Sequence, residues 1–368
     1  PMLGDPTNLV APGFVPMAGS PVLGAGATPP ASLDQSATFA GAIGADDWTA
    51  GWTAYPTDTG TTGPSSTVEV IADLESDTTW SATNTYVLKN HIYVRNAKLT
   101  IEPGTVVRGQ NNTSLVITNT GKIEAEGTAS DPIVFTSSKD TGAAPGDWGG
   151  LVLLGNSTIN VAGGADNIEG FAASATGTEY GGSDTDHDCG SLEYVRIEYA
   201  GFELSADNEL NGLTIGACGR DTELDHIQVH KGADDGVEFF GGTAGISHLV
   251  ITQPDDDGLD WDFGWTGSAQ FVIVQQNSMV GNMGFESDSN KNDNDASPRS
   301  NPTIWNATLI GSDAEPGTAG KRQAAMHLRR GTAGDMGNFV VMHFADFAVD
   351  VDGESSAEQA ELGELSIQ

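Results

Sequence analysis

The sequence predicts an all-β fold built as a solenoid, with an extended N-terminal arm ahead of it. Three observations lead there. From about Thr67 the chain is a succession of short runs rich in Val, Ile and Thr, separated by Gly, Asn and Asp turns, with almost no helical period. The runs fall into two alternating sets. One contains "LEYVRI" (from Leu192), "LDHIQV" (Leu224), "ISHLVI" (Ile246), "QFVIV" (Gln270), "NATLI" (Asn306) and "NFVVM" (Asn338). The other contains "GLTIG" (Gly212), "GVEFFG" (Gly236), "GLDWDFG" (Gly258), "GFESD" (Gly284), "MHLRRG" (Met326) and "AVDVDG" (Ala348). Finally, Asp234-Asp235-Gly236 and Asp256-Asp257-Gly258 open the same apolar pattern twice, one period apart. Units that bury their inward residues only against their neighbours make a repeat protein.

Taken in order, residues 1–34 are rich in Pro, Gly and Ala without a period and read as an extended arm. Residues 35–66 contain "FAGAIGADDWTAGWTAY" (from Phe39), which is too apolar to be left in water and reads as a cap or docking element. Residues 67–368 are the solenoid, its irregular spacing produced by insertions such as "SDSNKNDNDASPRSNP" (from Ser287).

Charge is the outlier of the composition. The 51 Asp and Glu against 15 Lys and Arg give a formal net charge of −36, which repels nucleic acid and anionic membrane surfaces. Solubility in salty surroundings explains such an excess, and so does the binding of divalent cations. No apolar run is long enough to span a bilayer. Cys189 and Cys218, 29 residues apart, suit either a bridge between neighbouring coils in an oxidising location or two buried thiols.

The stretches "LTIEPGTVVRG" (from Leu99), "GKIEAEGTASDPIVFTS" (Gly121), "GDWGGLVLLG" (Gly146), "SLEYVRIEYAG" (Ser191), "DDGVEFFGG" (Asp234) and "DDDGLDWDFGWTG" (Asp255) together resemble the secreted or cell-surface right-handed parallel β-helix proteins of bacteria, over roughly residues 75–352. The resemblance implies a right-handed parallel β-helix of pectate-lyase-like type and an extracellular or cell-surface location. It says little about activity, because the fold carries structural components, adhesins and polysaccharide enzymes alike. Such relatives carry an aromatic Trp-Thr-Gly segment after the helix, whereas here "GAIGADDWTAGWT" precedes it. If so, the last coil is left uncovered, and residues 36–58, through Phe39, Trp48, Trp52 and Tyr55, are expected to dock on the C-terminal coil of another copy in a head-to-tail filament. The alternative is that they fold back and cap the first coil of their own chain.

Alternation along the second set places Val237, Phe239, Leu259, Trp261, Phe285, Met326, Leu328, Val349 and Val351 inward. Glu238, Asp260, Asp262, Glu286, Asp288, His327, Arg329, Asp350 and Asp352 then share the outer face. With coils about 4.8 Å apart these form a ladder of carboxylates, which calls for a cation or for full solvation. Calcium, content with many oxygens in loose geometry, is the expected cofactor. Its candidate ligands are Asp260 and Asp262 with Glu238, the turn acids Asp234, Asp235, Asp255, Asp256 and Asp257, and the alternating Asp184, Asp186 and Asp188 of "DTDHDC".

A structural or adhesive protein stiffened by calcium is the leading expectation, and an acidic-polysaccharide binder or enzyme the alternative. A lyase would use Arg329 or His327 as base beside the acids, and a glycosidase would use the pairs Asp260 with Asp262 or Glu286 with Asp288. The plainer reading makes His327 and Arg329 ion-pair partners of the ladder. No Ser-His-Asp, P-loop, dinucleotide or CxxC signature is present. His226, His230 and His248 read as satisfied polar residues of strands.

Overall fold

The computed structural model describes residues 1–172, 174–205, 208–277, 281–312 and 323–368. The two sets of runs become two parallel sheets of one helix. A long sheet takes Thr67–Val70, Thr85–Leu88, Val106–Gly109, Ile133–Ser137, Gly190–Glu198, Glu223–His230, Ile246–Thr252, Ser268–Gln275, Thr303–Ile310, Gly334–Gly337 and Leu365–Ile367 in sequence order. A second sheet takes Ile92–Val94, Leu115–Ile117, Leu151–Leu154, Leu213–Gly216, Val237–Phe240, Leu259–Asp262, Phe285–Ser287, Ala324–Leu328 and Phe347–Val351, also in order. From Gly190 to Leu328 each coil contributes one strand to each, while Thr78–Trp80, Lys98–Ile101, Lys122–Glu126 and Val340–Met342 add further parallel strands to the long sheet; this is the right-handed parallel β-helix that the sequence predicts.

The inward columns are as the alternation requires. Val237, Leu259 and Phe285 stack in register, as do Phe239 and Trp261, and all are fully buried. At the last coil the same columns continue to Val349 and Val351, which stay exposed, at 37% and 39%. Cys189 and Cys218 are joined by a disulfide inside this core. Among the described residues no helix is long and apolar enough to cross a membrane.

Each long strand turns a corner through one residue with positive φ: Tyr194, His226, His248, Phe271 and Asn306. These corner residues sit above one another, and the Tyr194, His226, His248 and Phe271 rings stack at 4.3, 4.2 and 4.7 Å. Asp225 accepts hydrogen bonds from Nδ1 of both His226 (2.9 Å) and His248 (2.7 Å). Burial acts to raise the Asp225 carboxyl, but these two histidines outweigh it and hold the group well below the usual carboxylate range.

Beyond the corner, the outer face of the long sheet carries Gln228, Val250, Ile273 and Thr308 in one column and His230, Thr252, Gln275 and Ile310 in the next. Residues 1–61 lie over these columns. Gln275 donates to the carbonyls of Pro6 and Asn8, Gln270 exchanges bonds with the main chain of Asp34, and Asn306 donates to the carbonyls of Ala37 and Phe39. Gln228 brackets Ala54, and His230 reaches the Pro56 carbonyl at 2.9 Å. Phe14, Ile43 and Trp52 fill the gaps against Val250, Ile273 and Ile310.

Both expectations for Phe39, Trp48, Trp52 and Tyr55 placed them at an end of a helix. The structure lays them along the flank of their own chain: Trp52 against Tyr194, Trp48 against His248, Phe39 against Phe271 and Tyr55 against His230. The reason is compositional, because the flank offers side-chain amides among apolar residues that an extended segment satisfies, whereas the ends offer bare strand edges.

Candidate functional site

The repeated Asp-Asp-Gly turns lead into the second sheet and stack on one another. The Asp235 carboxylate accepts from the Asp257 backbone N–H of the next coil (2.9 Å), and the Asp257 carboxylate from the Met283 N–H one coil further (2.5 Å). Asn211 holds the equivalent place one coil earlier and accepts from the Asp235 N–H. The glycines after these residues are demanded by close approach. A Cβ on Gly236 would stand 2.8 Å from the Gly258 carbonyl oxygen, and one on Gly258 only 2.5 Å from that of Gly284. The repeat therefore has one structural cause, the bonding of each turn to the next.

The same geometry aims acids at the ladder. On the outer face Glu238, Asp260, Glu286 and His327 are in register, with Asp350 beyond them. Ligand oxygens of Asp235, Glu238 and Asp260 lie within 4.8 Å of one another, and so do those of Asp257, Asp260 and Glu286. Asp260 is common to both groups. Among the described residues no Lys or Arg nitrogen pairs with Asp235, Glu238, Asp257 or Asp260, and Asp260 Oδ1 is buried without a hydrogen bond. Burial first, and neighbouring carboxylates second, push all four well above the normal carboxylate range.

The ladder changes character further along. Arg329 Nε donates to Asp288 (2.7 Å), its Nη2 reaches Glu286, and Arg330 also binds Asp288. Burial alone would lower the Arg329 guanidinium, but its bonds to Asp288 and the charges of Asp288 and Glu286 raise it instead. His327 lies 3.5 Å from Glu286, Asp350 and Asp352. Asp262, buried beside Asp288, is pushed up to about 7, burial being the larger cause.

Insertions build walls around this face. The pair Asp166–Asn167 and Glu179–Tyr180 on one side and Lys291 with Asn292 on the other enclose a cleft of about 290 Å3. Glu238, Asp260 and Asp262 meet Asp288, Arg329 and Arg330 in its floor.

The expected residues are thus gathered unequally. Asp235, Glu238, Asp257, Asp260 and Glu286 converge, Asp262 and Asp288 line the adjoining cleft, and Asp234, Asp255 and Asp256 sit half-buried on the turns outside either group. Asp184, Asp186 and Asp188 do not form one set. Asp186 pairs with Arg220 at 3.1 Å, Asp188 with Lys122, and Asp184 faces His187. Asn211, which donates to Glu238 at 2.6 Å, was overlooked, although "ELNGL" aligns with "DDDGL" and could have revealed it. Glu169 and Lys291 come from insertions that no period reaches.

No curated protein and no solved structure matches the chain. A family model does: the pectate-lyase-like beta helix domain matches residues 72–368, nearly all of the coiled part described above, and the protein belongs to that family.

Proposed function

We propose that the protein is an extracellular or cell-surface β-helix that binds calcium in its acid ladder and uses the adjoining cleft to hold acidic polysaccharide, a binding and structural role. The observation that carries this reading is the convergence on Asp260 of four other carboxylates, of which only Glu286 has an Arg partner among the described residues. Five carboxylates with an orphaned oxygen among them suit a hard cation that takes many oxygens in loose geometry. Asp235, Glu238 and Asp260 would hold one ion, and Asp257, Asp260 and Glu286 a second. Bound there, calcium supplies positive charge that cancels the repulsion along the ladder and can meet a uronate. Arg330 and Lys291 supply fixed positive charge at the other end of the cleft.

Cleavage is the weaker reading. Arg329 is held by two carboxylates that raise its pKa, opposite to what a lyase base needs. One observation favours a glycosidase: Asp262, pushed up to about 7, has the property of a general acid. Support for head-to-tail assembly through residues 1–58 is reduced, since their aromatic residues are already packed in cis.

The test is calcium binding followed by retention on a polyuronate matrix. Wild type is expected to bind calcium and to be retained only when loaded, while Asp260→Asn loses both. Retention that ignores chelator and substitution rules out the cation-bridged site. Release of new reducing ends, abolished by Asp262→Asn, would turn the reading toward the glycosidase.

A further inference from the structure

A second concavity lies away from the acid ladder, where residues 32–48 cross the corner stack. Its volume is about 630 Å3, within the range of small-molecule sites. Its floor is aromatic: Phe39 stacks on Phe271 (6.3 Å, 21°), Phe271 on His248 (4.7 Å, 22°), and Trp48 stands edge-on to His248 at 5.0 Å. The acidic residues lining it are Asp34 and Asp46, both exposed, and no Lys or Arg lines it among the described residues.

This arrangement is fixed in advance. The main chain of Asp34 is gripped on both sides by the Gln270 amide, whose Oε1 accepts from the Asp34 N–H (2.8 Å) and whose Nε2 donates to the Asp34 carbonyl (3.2 Å). The Asp34 carboxylate accepts from the Ser36 N–H and hydroxyl, at 2.9 and 2.7 Å. Trp48 is anchored through its indole N–H to the Ala42 carbonyl at 2.9 Å. Aromatic faces attract a cation through their quadrupole, and do so best when the cation is weakly hydrated. Carboxylates on the rim add charge that an anion or a neutral ligand cannot use, and a net charge of −36 concentrates cations around the whole molecule.

The Asp34–Trp48 triad of rim acid, aromatic wall and stacked Phe39–Phe271 floor is one we infer to be a binding site for a small organic ammonium ion, of the quaternary or alkylated amine class. A metal at the nearby Asp225–His226–His248 cluster is the rival use of this corner, but there the two Nδ1 atoms and the two carboxylate oxygens already satisfy one another, at 2.9 and 2.7 Å.

The experiment uses choline, and as its uncharged isostere 3,3-dimethylbutan-1-ol, titrated into the full chain and followed by NMR line shape or calorimetry. Choline is expected to bind in the millimolar range and about tenfold more tightly than the alcohol. Asp34→Asn, which keeps the acceptor for Ser36, is expected to weaken choline several-fold while leaving the alcohol unchanged. Trp48→Ala should weaken both. Equal affinity for the two ligands, an Asp34→Asn variant that binds choline like wild type, or no binding of choline at tens of millimolar would each overturn the assignment.

Discussion

The flank covered by residues 1–61 and the acid face of the second sheet are made by the same coils with the same register, yet they solve opposite problems. On the flank the stacked outward residues are Gln228, Val250, Ile273 and Thr308, all neutral: Gln228 and Thr308 hydrogen-bond the main chain lying over them, and Val250 and Ile273 pack against its apolar side chains. On the acid face the stacked residues are Glu238, Asp260 and Glu286, and nothing in the described chain neutralises the first two. A β-helix repeats whatever it places in a column at about 4.8 Å. Neutral polar and apolar residues at that spacing make a bed for extended backbone, and carboxylates at that spacing repel one another unless a proton or a cation intervenes.

The largest expected contrast comes from removing one tryptophan behind each surface. Trp261 is fully buried, lies between Asp260 and Asp262 in sequence, and donates its indole N–H to Thr332 at 3.1 Å. Replacing it with Ala should cost about 3–5 kcal/mol of global stability and disorganise the acid face with it. Trp52 is as deeply buried, but between the covering segment and the flank. Trp52→Ala should leave the helix melting nearly unchanged while residues 1–61 become open to proteolysis and hydrogen exchange. Equal global destabilisation by the two would mean that covering segment and helix unfold as one unit.

Next in size is the effect of calcium, which pH should modulate. The folded state raises Asp235, Glu238, Asp257 and Asp260 above their ordinary values, and Asp262 to about 7. Below about pH 4 both states hold these protons and the raised values change nothing. As pH climbs, the unfolded chain releases protons that the folded chain keeps, so cation-free protein loses stability from about pH 4 upward, through about pH 7 for Asp262. One fixed calcium concentration, a hundred times the Kd at pH 8, should restore about 2.7 kcal/mol at pH 8 and less at pH 5, where protons compete for the same carboxylates and raise the Kd. Melting curves with calcium and with EDTA across that range check the sign, and coincident curves at every pH would remove the cation from the account.

How much of this contrast was legible in the sequence follows from what each surface depends on. The acid face depends on alternation, and alternation is visible: Glu238, Asp260 and Glu286 each stand two residues after a glycine, and His327 two after Ala325 in the same pattern. The convergence of Asp235 and Asp257 on that column was likewise readable from their place in the turns. The flank depends on the corner residues, whose positive φ at Tyr194, His226, His248 and Phe271 is a conformation that bulky side chains seldom adopt and no periodicity announces. Without the corner, the outward Gln and Asn residues look like scattered polar positions. Asn306 is fully buried and spends its amide on the carbonyls of Ala37 and Phe39. The part of the cleft built by Glu169 and Lys291 lay in insertions, where the repeat carries no information.

A smaller effect tests the joint between flank and corner. Asp225 clamps His226 and His248, on which Trp48 rests. Its lowered pKa contributes stability that is present above the unfolded value near 3.8 and is lost as pH falls through the lower folded value. The side chain is 40% exposed, so solvent screening cuts the contribution, and Asp225→Asn should cost about 1 kcal/mol at neutral pH. The decisive readout is local: if the substitution leaves the exchange of amides in residues 42–55 unchanged, the histidine stack does not support the covering segment.

The smallest expected effect belongs to the acids that alternate most conspicuously in the sequence. Asp184 is 62% exposed and Asp186 56%, and each faces its own partner, His187 and Arg220, without a shared focus. Exposed pairs of this kind are worth about 0–1 kcal/mol, and an ion bound by separated carboxylates must order them at the cost of those pairs. Asp184→Asn with Asp186→Asn should therefore shift stability by less than about 0.5 kcal/mol and leave the number of bound calcium ions as in wild type, measured by titration under conditions where Asp260→Asn lowers it. A lost ion in the double variant would place a cation at this loop and break the rule that separates it from the ladder. Here alternation without stacking scatters the carboxylates, whereas alternation with stacking brings them together.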